Sequence, residues 1–217
     1  MKIKWFGHSA FLITSDKGIK IITDPYAPDA FGLEYKPLVE PADIVTVSHD
    51  HADHNNAKKI PINPQILKGA GNHFAKGLDF HGVATCHDEC GGKDRGDNTV
   101  FVFTIDKITI CHLGDLGHIL TDEQVKKIGP VDVLMIPVGG NYTIDFKAAD
   151  KVIEQLKPRI VMPMHYQTES SQKFPVMTAG PFLEGKKNIK WITNSKVELK
   201  AEQLPRETQI WVLRHDL

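Results

Sequence analysis

The chain has 217 residues, 41% of them apolar and 24% charged, with a formal net charge of −1. That is the balance of a soluble globular protein with one sizeable domain, and it is too short for two ordinary ones. It excludes the electrostatic footprint of a protein that binds nucleic acid or an anionic membrane, and no apolar run is long enough to cross a bilayer.

The first residues, MKIKWFGHSAFLIT, lack the long unbroken apolar stretch and small-residue cleavage site of a secretory signal, so they read as strands. Ile3–Phe6, Phe11–Thr14 and Ile19–Thr23 are the first three expected strands, the last two joined by a turn at Ser15-Asp16-Lys17-Gly18. Ile44–Ser48 is a buried strand and Val83–Cys86 a short one. Thr99–Ile105 and Ile108–His112 form a hairpin across Asp106-Lys107. Asp122–Ile128 is a short helix with Thr121 as N-cap and Gln124 completing a capping box. A strand at Val131–Pro137 precedes a helix at Asp145–Leu156, whose apolar residues recur at helical spacing and which Lys157-Pro158 stops. Ile160–Met164 is the next strand, and Trp191–Thr193 and Gln209–Leu213 are strands of the tail. Strands first, then strands alternating with helices, give an α/β or α+β fold of two packed sheets with helices outside. The three cysteines, an odd and low count, fit a reducing cytoplasm better than a disulfide framework. Cys86 and Cys90 flank His87, but no second Cys/His pair stands nearby to complete a structural zinc site, so they read as ordinary thiols.

The chemistry concentrates in TVSHDHADHNN, residues 46–56. His49, His51, Asp53 and His54 have the spacing H-x-H-x-D-H directly after a strand. Side chains at i and i+2 share one side of an extended chain, so His49 and His51 can grip one ion. Past the turn, Asp53 and His54 can face a second. Imidazole suits zinc, and an added carboxylate suits zinc, iron or manganese.

This motif resembles that of the metallo-β-lactamase superfamily. WFGHSAFLI, ITDPY, GGKDRGDNTVFVF, PVGGNYTID and KPRIVMPMHY resemble its compact metal-dependent hydrolase branch, related to ascorbate-6-phosphate lactonase. The resemblance implies a four-layer αββα sandwich with a one- or two-metal site at one edge. It also implies three later ligands. Asp115 in CHLGDLG resembles the bridging aspartate, and His165 in VMPMHY the last histidine. The intervening histidine has two candidates, His87 after a strand and His112 three residues before Asp115. The resemblance favours His87, which ends the strand before the hairpin where the family places this ligand, and leaves His112 as an outer partner or core residue.

On that resemblance, two divalent ions, Zn2+ first and Mn2+ or Fe2+ as alternatives, activate water against a small ester, lactone, amide or phosphodiester, with Asp53 orienting the attacking group. The expected partner is a small molecule, anionic by analogy; neither nucleic acid nor membrane is expected. An iron-dependent dioxygenase or other redox enzyme on the same fold is the first alternative, and a non-enzymatic, metal-dependent metabolite-binding protein the second. Asp24, before Pro25, is expected to hydrogen-bond a ligand histidine. His8 and Asn141 are expected near the site, the latter in a Gly-rich connection. Lys93 and Arg95 lie in a Gly-rich loop where solvated charge is the common outcome and contact with an anionic substrate the alternative.

Overall fold

A computed structural model describes residues 1–216. Its strands are β1 (Lys2–Gly7), β2 (Ala10–Thr14), β3 (Lys20–Thr23), β4 (Ile44–Val47), β5 (Gln65–Lys68), β6 (Gly71–Ala75), β7 (Leu78–Cys86), β8 (Asp97–Ile105) and β9 (Ile108–His112). After α1 (Asp122–Ile128) come β10 (Val133–Pro137), α2 (Phe146–Leu156), β11 (Ile160–Met164), α3 (Gly180–Leu183), β12 (Ile189–Ile192), β13 (Lys196–Glu198) and β14 (Gln209–Leu213). They build a six-stranded sheet, β13-β1-β2-β3-β4-β5, and an eight-stranded sheet, β12-β14-β11-β10-β9-β8-β7-β6.

Local chemistry accounts for the hairpins and helix ends. Asp106 and Lys107 both have positive φ, 50° and 65°. This two-residue turn matches the twist of the strands it joins. Thr121 accepts from Gln124 N while the Gln124 side chain accepts from Thr121 N, the expected capping box. Asp145 caps α2 through Ala148 N at 2.8 Å rather than forming its first turn.

Both helix crossovers, β9-α1-β10 and β10-α2-β11, link parallel neighbours in the same direction across the sheet. Right-handed connections therefore place α1 and α2 on one face. α2 buries Ala149, Val152 and Leu156 there. The other outer layer is built without long helices. Tyr26, Leu33, Tyr35, Leu38, Ile60, Phe174 and Val176, mostly from connections between strands, pack on Phe6, Leu12, Ile22 and Val45.

Strand direction decides where the chemistry collects. β1 and β3 are both antiparallel to β2, and β4 is parallel to β3, so β1, β3 and β4 end on one edge of their sheet. In the other sheet β7 and β9 are both antiparallel to β8, while β10 and β11 run parallel to β9. Their C-terminal ends likewise share one edge. Hydrogen bonds stitch these two edges together: Thr99 N donates to Ser48 O at 2.9 Å and His165 N to His8 O at 3.2 Å. The C-terminal ends of strands are where open α/β sheets present their ligand-binding loops.

Some expected limits move. The strand expected at Val83–Cys86 begins at Leu78, that expected at Val131 begins at Val133, and the tail strand spans Ile189–Ile192 instead of Trp191–Thr193. β5, β6, β13 and α3 were not anticipated. β5 and β6 are largely exposed edge strands whose polar residues break the apolar pattern, and β13 has three residues. No helix among the described residues is long and apolar enough to cross a membrane.

Candidate metal centre

Seven predicted side chains meet at the shared edge. β4 ends immediately before Ser48, and the turn that follows projects His49, His51, Asp53 and His54. His87 follows β7, Asp115 follows β9 by three residues, and His165 follows β11 directly. His165 has φ 51°, a backbone region unusual for a non-glycine residue and one found preferentially at functional sites. His8, just past β1, has φ 50° as well.

Beside a group of Asp24, His49 and His54, the nitrogens and oxygens converge in two groups that contain the predicted ligands. One comprises His49, His51 and His87; the other comprises His8, Asp53, His54 and His165. Asp115 Oδ2 touches both, lying 3.3 Å from His87 Nε2 and 3.2 Å from Nε2 of both His54 and His165. His49 Nε2 is 3.9 Å from the same oxygen and 3.1 Å from His51 Nδ1. Metal–nitrogen bonds of about 2.0–2.1 Å put neighbouring ligand atoms about 2.8–3.4 Å apart, from octahedral to tetrahedral geometry. Most of these separations fit around ions of that size.

Buried polar atoms left without partners point the same way. Asp53 Oδ1, Asp115 Oδ1, His87 Nδ1 and both ring nitrogens of His165 have no hydrogen-bond partner among the described residues. Such atoms are costly unless something binds them. The donor set, imidazole nitrogen mixed with carboxylate oxygen, is that of zinc, iron or manganese sites.

The electrostatics follow from burial and crowding. Burial, then the neighbouring His54 charge, pushes His49 down to about 3. Burial, then His165, pushes His8 down to about 4, so both rings are neutral near pH 7. Burial opposes charge on His54 too, but the Asp115 and Asp53 carboxylates overcome it and hold that ring well above its ordinary value. Burial raises Asp115, yet the His165 and His54 rings hold it well below the carboxylate range. Two buried carboxylates thus demand positive charge at this point, a demand a divalent cation would also meet.

The surrounding residues divide by contact. Asp24 Oδ2 lies 2.9 Å from His54 Nδ1 and accepts from Ser48 Oγ at 2.5 Å, while Asp24 Oδ1 accepts from Ser48 N at 2.8 Å. His8 Nε2 is 3.1 Å from Asp53 Oδ2. His112 stands outside both groups, with Nε2 on Ser9 O at 2.9 Å and Nδ1 accepting from Gly114 N at 3.2 Å. Asn141 is at the rim rather than among the converging groups, where Nδ2 donates to Pro175 O at 2.8 Å. Asn98 escaped the sequence reading. It accepts from Asp115 N at 3.0 Å and donates to Thr85 Oγ1 and Leu113 O, fixing the loop that carries Asp115. Cys86, Cys90 and Cys111 are free thiols.

A cavity of about 290 Å³ opens onto the cluster, lined by His51, Asp53, His87, Asp115 and His165 and walled by Phe31, Arg95, Tyr142 and Phe174. Phe174 packs edge-on to His165, with ring centroids 5.5 Å apart. Its ring gives one side of the cluster an apolar wall.

Residues 2–165 match the beta-lactamase superfamily domain. A UPF0173 metal-dependent hydrolase of Carboxydothermus hydrogenoformans is 30% identical over 205 residues, covering 82% of this chain and 88% of that protein. A UPF0173 metal-dependent hydrolase of Pyrococcus abyssi is 31% identical over 208 residues, covering 83% and 89%. A crystal structure from Thermotoga maritima, described as a candidate Zn-dependent hydrolase of the metallo-β-lactamase superfamily, superposes with a TM-score of 0.81 at 35% identity over 99% of each chain. With the paired sheets, the edge-mounted His/Asp cluster and these likenesses in agreement, the chain belongs to the metallo-β-lactamase superfamily, among its UPF0173 metal-dependent hydrolases.

Proposed function

We propose that residues 1–217 form one domain that acts as a binuclear metal-dependent hydrolase on a small ester, lactone, amide or phosphodiester. His49, His51 and His87 would hold one ion and Asp53, His54 and His165 the other, with Asp115 shared; Zn2+ is the proposed ion. When bound, such ions act as Lewis acids and lower the pKa of water from 15.7 to about 7. The observation that carries this reading is the single oxygen, Asp115 Oδ2, within 3.3 Å of His54, His87 and His165 Nε2, each from a different strand end.

The chain's own residues have separable tasks. With an ion bound, Asp24 would accept the Nδ1 proton of His54 and so leave His54 Nε2, which lies beside Asp115, as a lone-pair donor. His8 Nε2–H donates to Asp53 Oδ2, which leaves Asp53 Oδ1 free to accept a hydrogen bond from an attacking water and orient it. The Phe174 and Tyr142 rings, 5.3 Å apart, exclude bulk water from one wall.

The test is elemental analysis of the chain after chelation and reloading with zinc, followed by a panel of esters, lactones, amides and phosphodiesters. Two ions per chain and turnover of at least one class are expected. Less than one ion per chain would overturn the ligand assignment. Two ions with every bond left intact would favour a binding protein, and turnover seen in air but lost under argon would favour the redox alternative.

A further inference from the structure

We propose that the substrate is a small amphiphilic anion, with a carboxylate or phosphate read by Arg95 and an apolar body held by Phe31, Tyr142 and Phe174. This rests on the hydrolytic reading above and names the class of molecule that the same cavity takes.

Arg95 is exposed, yet its position is fixed. It lies on the loop between β7 and β8, which winds around the buried carboxylate of Asp88. Asp88 Oδ1 accepts from Cys90 N at 2.9 Å and Gly92 N at 2.7 Å, and Oδ2 from Asp94 N and Arg95 N, both at 2.9 Å. Four amides on one carboxylate pin the loop that presents Arg95, which lowers the ordering cost when a ligand binds. The guanidinium contacts neutral groups: Nη2 donates to Asn141 O at 3.3 Å, and the Tyr142 ring lies 5.8 Å away. Among the described residues it forms no ion pair with a carboxylate, although Asp53 and Asp115 line the same cavity. An arginine has five N–H donors in a planar fork that matches a carboxylate or phosphate edge. Most of that fork remains available at the cavity wall.

The apolar side is built with equal care. Phe31 is 60% exposed and holds φ 50°, between Asp29 at φ 64° and Gly32 at φ 88°. An exposed phenylalanine in the left-handed region gains little from packing and bears a backbone cost, a combination that points to a ligand contact. Its segment is tied to the opposite wall: Glu34 N donates to Ser170 O at 2.7 Å, and a Cβ on Gly32 would come within 2.9 Å of Lys173 Cβ. Asn141 joins the two halves, receiving Arg95 on its carbonyl while its side chain holds Pro175 O beside Phe174. A volume of about 290 Å³ is at the small end for ligand pockets, so the occupant is a small molecule and not a polymer segment.

The test uses three non-hydrolysable probes of similar size: phenylacetate, benzylphosphonate as the phosphate stand-in, and neutral 2-phenylethanol. Calorimetry would measure their binding to the full chain, metal-free and zinc-loaded, as wild type, R95Q, R95K and F31A. At least one anion should bind wild type tenfold or more tighter than the alcohol; the stronger one identifies a carboxylate or a phosphate as the group read. R95Q should erase that ratio in both forms, and R95K should keep part of it. F31A should weaken all three probes severalfold with the ratio intact. An anion preference that survives in R95Q in either form, or a wild type that binds the alcohol equally well, would overturn the proposal. The readout is binding, so a zinc-loaded chain that binds anions through Arg95 but hydrolyses nothing would overturn the hydrolytic reading alone.

Discussion

Asp24 and His54, thirty residues apart, share a hydrogen bond of 2.9 Å from Nδ1 to Oδ2, while the other nitrogen of His54 sits 3.2 Å from Asp115. Both residues are fully buried. The carboxylate fixes the tautomer of the ring and sharpens Nε2 as a donor of electrons. Asp24→Asn keeps the size of the side chain but can offer an N–H to the ring in place of an acceptor. We expect metal affinity to fall 10- to 100-fold, with two ions still bound at saturating zinc, as read by competition with a chromophoric chelator. Unchanged affinity would show that this contact only packs the ring.

His51 and His112 separate metal binding from stability. His51 is exposed, so His51→Ala should change folding stability by no more than about 0.5 kcal/mol. It should also lower the metal content of the chain and abolish turnover. His112 is buried with both ring nitrogens hydrogen-bonded. His112→Ala strands the Ser9 carbonyl and opens a cavity, which should cost about 2–4 kcal/mol while metal content stays at wild type. Denaturant melts paired with elemental analysis would decide. Metal lost from His112→Ala but kept in His51→Ala would reverse the assignment.

How much of this was legible beforehand depends on the range of the interactions. The 49–54 cluster, the hairpin across Asp106-Lys107 and the Thr121 cap are set by neighbours in sequence, and local spacing is enough to read them. His87, Asp115 and His165 are dispersed, and their place at strand ends came from family likeness as much as from pattern. Asn98 was invisible because an asparagine opening a strand has no local signature; its role exists only once β8 lies beside the Asp115 loop. Phe31 was missed for a similar reason. Nothing in AFG announces a left-handed phenylalanine, and its exposure becomes informative only beside the cavity. The edge strands β5 and β6 were missed because half-exposed strands carry polar residues that blur the two-residue period.

Gly117 is where close packing supports the cluster. A Cβ there would fall 2.2 Å from Asp88 N and 2.3 Å from the carbonyl carbon of His87, both backbone atoms. Neither can swing aside as a side-chain tip would. Gly117→Ala must therefore push the His87-Asp88 backbone or its own loop outward. We expect a loss of about 3 kcal/mol, which for a chain of this size lowers Tm by about 6–12 °C. On the proposed two-ion assignment, the ion given to His87 should be lost before the one given to His165. A Tm within 2 °C of wild type, by calorimetry at matched metal loading, would show that the contact yields at little cost.

Cys90 gives a prediction that depends on pH and not on metal. Its thiol lies 3.1 Å from Asp94 Oδ2, and that contact, followed by burial and Asp88, pushes it up to about 11. The thiolate is the reactive species, so alkylation should track its population. Below about pH 11 the rate at Cys90 should rise close to tenfold per pH unit, with no plateau near 8.5, the value of an unperturbed thiol. Asp94→Asn removes the main cause and should bring the plateau back toward that ordinary range, so that iodoacetamide at pH 8.5 labels the variant at least tenfold faster. Mass spectrometry of the Cys90 peptide reads this separately from Cys86 and Cys111. Equal labelling rates for wild type and Asp94→Asn would mean that the thiol and the carboxylate do not meet in solution.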